Sequence, residues 1–208
     1  MSSEAPKLLV FLHVAVKQRA FQGALQAALA GIDVTAVGRI GDFDRALQER
    51  PDAVLTLPVV LSARGLSVNL RGRRQGAEDE TYSLVAADSI PDPARIQTVG
   101  ALDLLGRDGT DAFVNHVIGA HPKVERVTKV EDLLPLLQMQ RVDAILLAAR
   151  LVAELKKASR LNLMQRDLST KVELPAAVNL GAGGPQILGA LSRLPAQLSA
   201  AMGVDEWR

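Results

Sequence analysis

Apolar residues along this chain fall into short blocks whose spacing alternates between continuous and helical. Leu8 to His13 (LLVFLH) is an almost unbroken apolar run, the pattern of a strand buried on both faces. Lys17 to Leu29 then sets Phe21, Leu25 and Leu29 at helical spacing, and Gly31 follows as a stop. Val34 to Val37 predicts a second strand. Asp42 is placed to cap a helix that turns Phe43 and Leu47 inward; Pro51 ends it, and Ala53 to Leu57 predicts a third buried strand. The order βαβαβ implies a parallel sheet with right-handed crossovers.

The same order recurs further along. Thr98 to Leu105 predicts a strand, Thr110 to Ile118 a helix, Val124 to Val127 a strand, Glu131 to Gln138 a helix and Asp143 to Leu147 a strand. Val34 to Leu57 also aligns residue by residue with Val124 to Leu147. Val37 meets Val127, Arg39 meets Lys129, Asp42 meets Asp132 and Gln48 meets Gln138; after one inserted residue Asp52-Ala53 meets Asp143-Ala144. Shared descent and the common grammar of βαβ units both account for this. Either way it predicts two lobes.

The connecting segments have another texture. Leu66 to Leu70 and Thr81 to Ala86 read as strands of one hairpin, joined by the charged turn Arg71 to Glu80. Asp88 to Pro93 is rich in Asp and Pro and reads as a crossing between lobes. After the second lobe come a helix over Val152 to Ser159, a short strand over Leu161 to Met164, and an extended stretch, Val172 to Leu180, interrupted by Pro175. Gly181 to Gly184 breaks the chain. Gln186 to Met202 predicts a terminal amphipathic helix kinked at Pro195. Returned to the first lobe, this tail gives lobe 1 as residues 1–88 plus 173–208 and lobe 2 as 94–168, with hinges near 88–94 and 168–174.

This organisation resembles the type II periplasmic-binding-protein fold, the Venus-flytrap architecture of solute receptors. The resemblance spans nearly the whole chain and rests on the two lobes, the double crossing and VEDLLPLLQMQRVDAILL, Val130 to Leu147. The opening of the second lobe, Thr98-Val99-Gly100, with the Gly-rich turn after it, is most similar to the phosphate, phosphonate and sulfonate branch. The resemblance implies an α/β fold with two βαβαβ lobes that close about a hinge on a small molecule. It also implies a transporter permease as partner.

Composition narrows the chemistry. Hydrophobic residues make up 48% and charged ones 23%, with a net charge of +1, which excludes a disordered chain and argues against nucleic acid as a partner. Aromatics are only 3%, so stacking platforms and aromatic cages have no material. Cysteine is absent, which removes disulfides, thiolate nucleophiles and Cys-ligated zinc. No run approaches the roughly 20 apolar residues of a membrane span. The apolar stretch near the N-terminus lacks the flanks of a secretory signal. The expected location is therefore periplasmic if such a signal has been removed and cytoplasmic otherwise.

In parallel α/β sheets ligands bind beyond the carboxyl ends of the strands. Four loops qualify: His13 to Lys17, Thr56 to Pro58, Gly106 to Thr110 and Ala148 to Arg150. The candidate ligand-binding residues are His13, Lys17, Thr56, Pro58, Gly106, Arg107, Gly109, Thr110 and Arg150. Gly106 and Gly109 free the backbone, Thr110 offers a hydroxyl, and Arg107 supplies a positive fork for an anion. His13 and Lys17 would face it across a cleft. Arg71 to Gly76 holds three arginines, but Glu78, Asp79 and Glu80 follow, so it reads as a solvated turn.

No catalytic residue, metal site or cofactor is predicted. His13, His116 and His121 lack metal-ligand spacing, and no nucleophile elbow, HExxH or Walker sequence occurs. The leading expectation is a non-catalytic solute-receptor module for a small anionic or polar ligand. Two alternatives stand beside it. One is a cytosolic sensor or adapter that uses Leu57 to Leu61 as a protein-contact surface. The other is a phosphoribosyltransferase, for which Gly106 to Phe113 (GRDGTDAF) would be the phosphate loop.

Overall fold

A computed structural model describes residues 5–14 and 16–208; Met1 to Glu4 and Ala15 of the His13–Lys17 loop lie outside the described residues. The chain forms two compact units. The first holds the described residues up to Asp79 together with Glu173–Arg208, and the second is Glu80–Val172.

In the first unit the strands β1 (Lys7–Phe11), β2 (Asp33–Ala36) and β3 (Ala53–Thr56) alternate with the helices α1 (Gln18–Ala28) and α2 (Ile40–Gln48). Beyond β3 follow the short helix α3 (Pro58–Ser62) and the strand β4 (Leu70–Arg73). β1 lies between β2 and β3, parallel to both. Leu8, Val10, Val34 and Leu55 bury against Phe21 and Leu25 of α1, as the continuous apolar strands and the helical stripe require.

The second unit repeats the pattern with β6 (Thr98–Leu102), α4 (Gly106–Ile118), β7 (Lys123–Val127), α5 (Leu133–Gln138) and β8 (Ala144–Ala148), followed by α6 (Ala149–Ala158). β6 lies between β7 and β8, again parallel to both.

The internal alignment has a physical counterpart in the register. Leu8 sits beside Ala53, and Val99 sits beside Ala144. Lys7 sits beside Asp33, and Thr98 sits beside Lys123. Both helix exits bend through a left-handed non-glycine residue, Arg50 at φ 54° and Gln140 at φ 53°.

Neither sheet is wholly parallel. In the first, β10 (Ala176–Asn179) lies antiparallel between β3 and β4, and β11 (Glu206–Trp207) closes the edge beyond β4. In the second, β5 (Asp79–Ala87) runs antiparallel to β8, with β9 (Leu163–Glu173) outside it.

The predicted hairpin is therefore corrected. Gln75 and Gly76, both at positive φ, do make a tight turn, closed by a bridge between Arg74 and Ala77. The strands it joins belong to different sheets, because Tyr82, Leu84, Val85 and Ala86 bury in the second core. Residues 80–88 accordingly fall in the second unit. The first change of unit comes after Asp79, ahead of the expected 88–94, and the chain returns at Glu173.

The arginines of that turn are not simply solvated. Arg73 pairs with Glu78 at 2.5 Å, and Arg71 pairs with Glu173 at 2.7 Å. The single terminal helix is also corrected. Pro195 is extended, at φ −54° and ψ 138°, and separates α7 (Gly184–Leu191) from α8 (Ala196–Ala201). Gly203 at φ 81° then turns the chain into β11, which buries Trp207.

Candidate functional site

Each unit presents its own set of carboxyl strand ends. In the first, Thr56 is fully buried, and its hydroxyl donates to the Phe11 carbonyl at 2.6 Å. It ties the ends of β1 and β3 together instead of offering a free hydroxyl. Leu57, Pro58, Val60 and Leu61 are buried as well, which leaves Val59 as the one partly accessible side chain of this run.

His13 is half-buried, with its ring edge-on to Phe11 at 5.3 Å. Phe11 in turn meets Phe43 at 5.4 Å, and the Arg64 guanidinium lies over Phe43 at 5.6 Å. Arg64 grips Asp44 in bidentate fashion, at 3.0 and 3.2 Å. His13 thus stands at the end of a column of ring contacts that runs through Phe11 and Phe43. The low aromatic content conceals it, although the spacing of two between Phe11 and His13 already puts both on one side of an extended chain. Lys17 is exposed. Its carbonyl accepts the Ala20 and Phe21 N–H groups at 3.0 Å each, so it stands at the cap position of the 11-residue α1.

In the second unit the loop before α4 is held by its own side chains. Thr110 is fully buried; its hydroxyl accepts the Leu104 and Leu105 N–H groups at 3.1 and 3.0 Å and donates to Asp103 Oδ1 at 2.9 Å. The same Asp103 oxygen accepts the Gly106 N–H at 2.9 Å. Three amides that a ligand would need are thus already engaged. Composition and motif do not single out Asp103, although its spacing of three to Gly106 and seven to Thr110 carries the signal.

Gly106 adopts φ 78°, which explains the glycine. At Gly109 a Cβ would come within 2.6 Å of Leu105 Cβ, so that glycine serves packing, not approach of a ligand. Arg107 is exposed and forms no ion pair among the described residues.

Arg150 is neither solvated nor open. Its Nε lies 3.0 Å from Glu80 Oε2, with side-chain exposures of only 11% and 7% for the two residues. Beside the pair, Tyr82 packs edge-on against Phe113 at 5.9 Å. Burial, and then the Glu80 charge, push its phenol above the ordinary range, so it stays a neutral donor.

Exposed cations therefore stand at matching places, Lys17 after β1 and Arg107 after β6. Depressions at the Lys7–Pro51 and Arg50–Gln186 surfaces of the first unit include none of the candidate residues. Among the described residues no group of three or more His, Asp or Glu side chains gathers as a metal site, and no helix is long and apolar enough to cross a membrane.

No family model matches the chain, and no curated protein sequence matches it. Solved structures do. The VFT2 domain of BvgS from Bordetella pertussis, as a double mutant, is 14% identical with a TM-score of 0.64, covering 95% of this chain and 91% of that one. The solute receptor for L-cysteine of Neisseria gonorrhoeae is 14% identical with a TM-score of 0.61, covering 96% and 89%. The GluR0 ligand-binding core in complex with L-glutamate is 14% identical with a TM-score of 0.61, covering 98% of each chain. The chain has the type II periplasmic-binding-protein fold, the Venus flytrap.

Proposed function

We propose that the chain is a non-catalytic binding module for a small molecule that carries a carboxylate or comparable anionic group. The observation that carries this reading is the matched pair of exposed cations, Lys17 and Arg107, each in the first turn or cap of the helix that follows the first parallel strand of its unit. An exposed cation at each of these places suits an anion, and before α4 the side chain of Arg107 carries that role because the Leu104, Leu105 and Gly106 amides are already engaged. Arg107 is the stronger candidate, since Arg150 is committed to Glu80 and Thr110 to the loop.

The ligands named for two of the similar structures, L-cysteine and L-glutamate, both carry a carboxylate, which supports that group over a phosphonate or sulfonate. The reading is tested by thermal unfolding against the amino acids, phosphate, phosphonates and sulfonates. A true ligand at about 100 times its Kd should raise Tm by about 5–10 °C for a chain of this size. Arg107→Ala should lose most of that shift while leaving the unliganded Tm in place. A panel with no shift at all removes the reading.

A further inference from the structure

Among the described residues β2 is the outermost strand of the first sheet, and apart from its shortness it carries little of what usually keeps an edge from pairing. Its sequence is DVTA, with one charge, whereas the corresponding edge β7 reads KVERV. There Lys123 and Arg141 meet Glu125 at 3.1 and 3.5 Å, and Arg126 pairs with Asp111. Along β2 the outward backbone groups are met by side chains of α1. Gln26 donates to the Ile32 carbonyl at 2.7 Å and accepts the Val34 N–H at 2.9 Å, the two bonds that a neighbouring strand would make. Gln22 accepts the Ala36 N–H at 3.3 Å. Gln18, one turn earlier, lies along the same line, its Oε1 2.1 Å from where a Cβ on Gly38 would sit. The spacing of four puts all three amides on one face of α1.

We infer that Gln22 and Gln26, with Gln18 behind them, act as a side-chain strand that closes the edge of β2 against pairing with the same edge of a second copy of this chain. A self-complementary edge pairs two-fold, so opening it produces a dimer. The amides facing β1 are the internal control, because Asp33 and Val37 donate to the Pro6 and Val10 carbonyls at 2.9 Å each and do not depend on the glutamines.

The test is the double variant Gln22→Met and Gln26→Met, which keeps side-chain length and helix propensity but removes both amides. At low concentration, exchange at Val34 and Ala36 should quicken by about tenfold while Asp33 and Val37 stay as in the parent. At high concentration, light scattering should show twice the parent mass. Unchanged exchange at Val34 and Ala36, or the parent mass at every concentration, overturns the inference. Should the double variant fail to fold, Gln26→Met alone is read in the same way at Val34.

Discussion

Asp52 in the first unit and Asp143 in the second hold the same post. Each precedes the third parallel strand of its unit, and each carboxylate accepts N–H groups where the first strand begins. Asp52 takes Lys7 at 3.0 Å, and Asp143 takes Gln97 and Thr98 at 2.8 Å each. At the opposite end of the strands the units part company. The first closes β1 onto β3 with one buried hydroxyl, and its loop runs on for six residues before α1. The second closes its loop in three residues with Asp103 and Thr110, and adds the Glu80–Arg150 pair. The amino ends thus carry the frame, and the carboxyl ends carry what differs between the units. In the second unit polar groups satisfy one another and leave Arg107 outside.

The largest expected effect breaks that difference at Glu80. Counting from the matched Ala53 and Ala144, Arg150 falls where the first unit has Val59, so charge stands in one unit where the other is apolar. Glu80→Leu alone, which takes this carboxylate away from Arg150, should cost about 3–5 kcal/mol in denaturant unfolding. Glu80→Leu with Arg150→Met, which makes the second unit resemble the first, should return to within about 1 kcal/mol of the parent. A double variant as weak as the single one would show that the charges are not acting as a pair.

Next in size are the two threonines. Thr110→Val keeps the shape but takes the acceptor from two amides in a closed loop, and should cost about 2–3 kcal/mol. Thr56→Val removes one donated bond and should cost about 1 kcal/mol. Equal losses in unfolding experiments would contradict the view that the second unit's loop is the more tightly locked.

These contrasts also mark what the sequence made legible. The βαβαβ order, the paired Asp-Ala steps and the strand ends were readable because they rest on local period and on residues close in the chain. The membership of Thr81 to Ala86 was not, since an apolar run fits either core and only its pairing with β8, some sixty residues on, decides. The candidate loops were readable as places. Whether their polar groups stay available was not, because Arg150 is answered by Glu80, 70 residues away, and Thr56 by Phe11, 45 residues away. A proline in an amphipathic stretch suggests a kink, but α7 already ends at Leu191 and the extended Pro195 stands at the start of α8.

The smallest effect sharpens the likeness between the two aspartates. Asp143 binds only the start of β6, but Asp52 also accepts the Gly183 N–H at 2.9 Å and so anchors the returning tail. Those backbone bonds from Lys7 and Gly183 hold the Asp52 carboxyl below the ordinary aspartate range. A group whose folded pKa lies below its unfolded value contributes stability that is present above the unfolded value and is lost as pH falls through the folded one. Because the side chain is well hydrated, that contribution should stay under about 1 kcal/mol. Acidification through this range should therefore loosen the Lys7 and Gly183 amides in exchange measurements, and Asp52→Asn should loosen them already at neutral pH and flatten the acid response. Amides at Lys7 and Gly183 that keep their protection in Asp52→Asn would show that the Asp52 carboxylate does not anchor the tail.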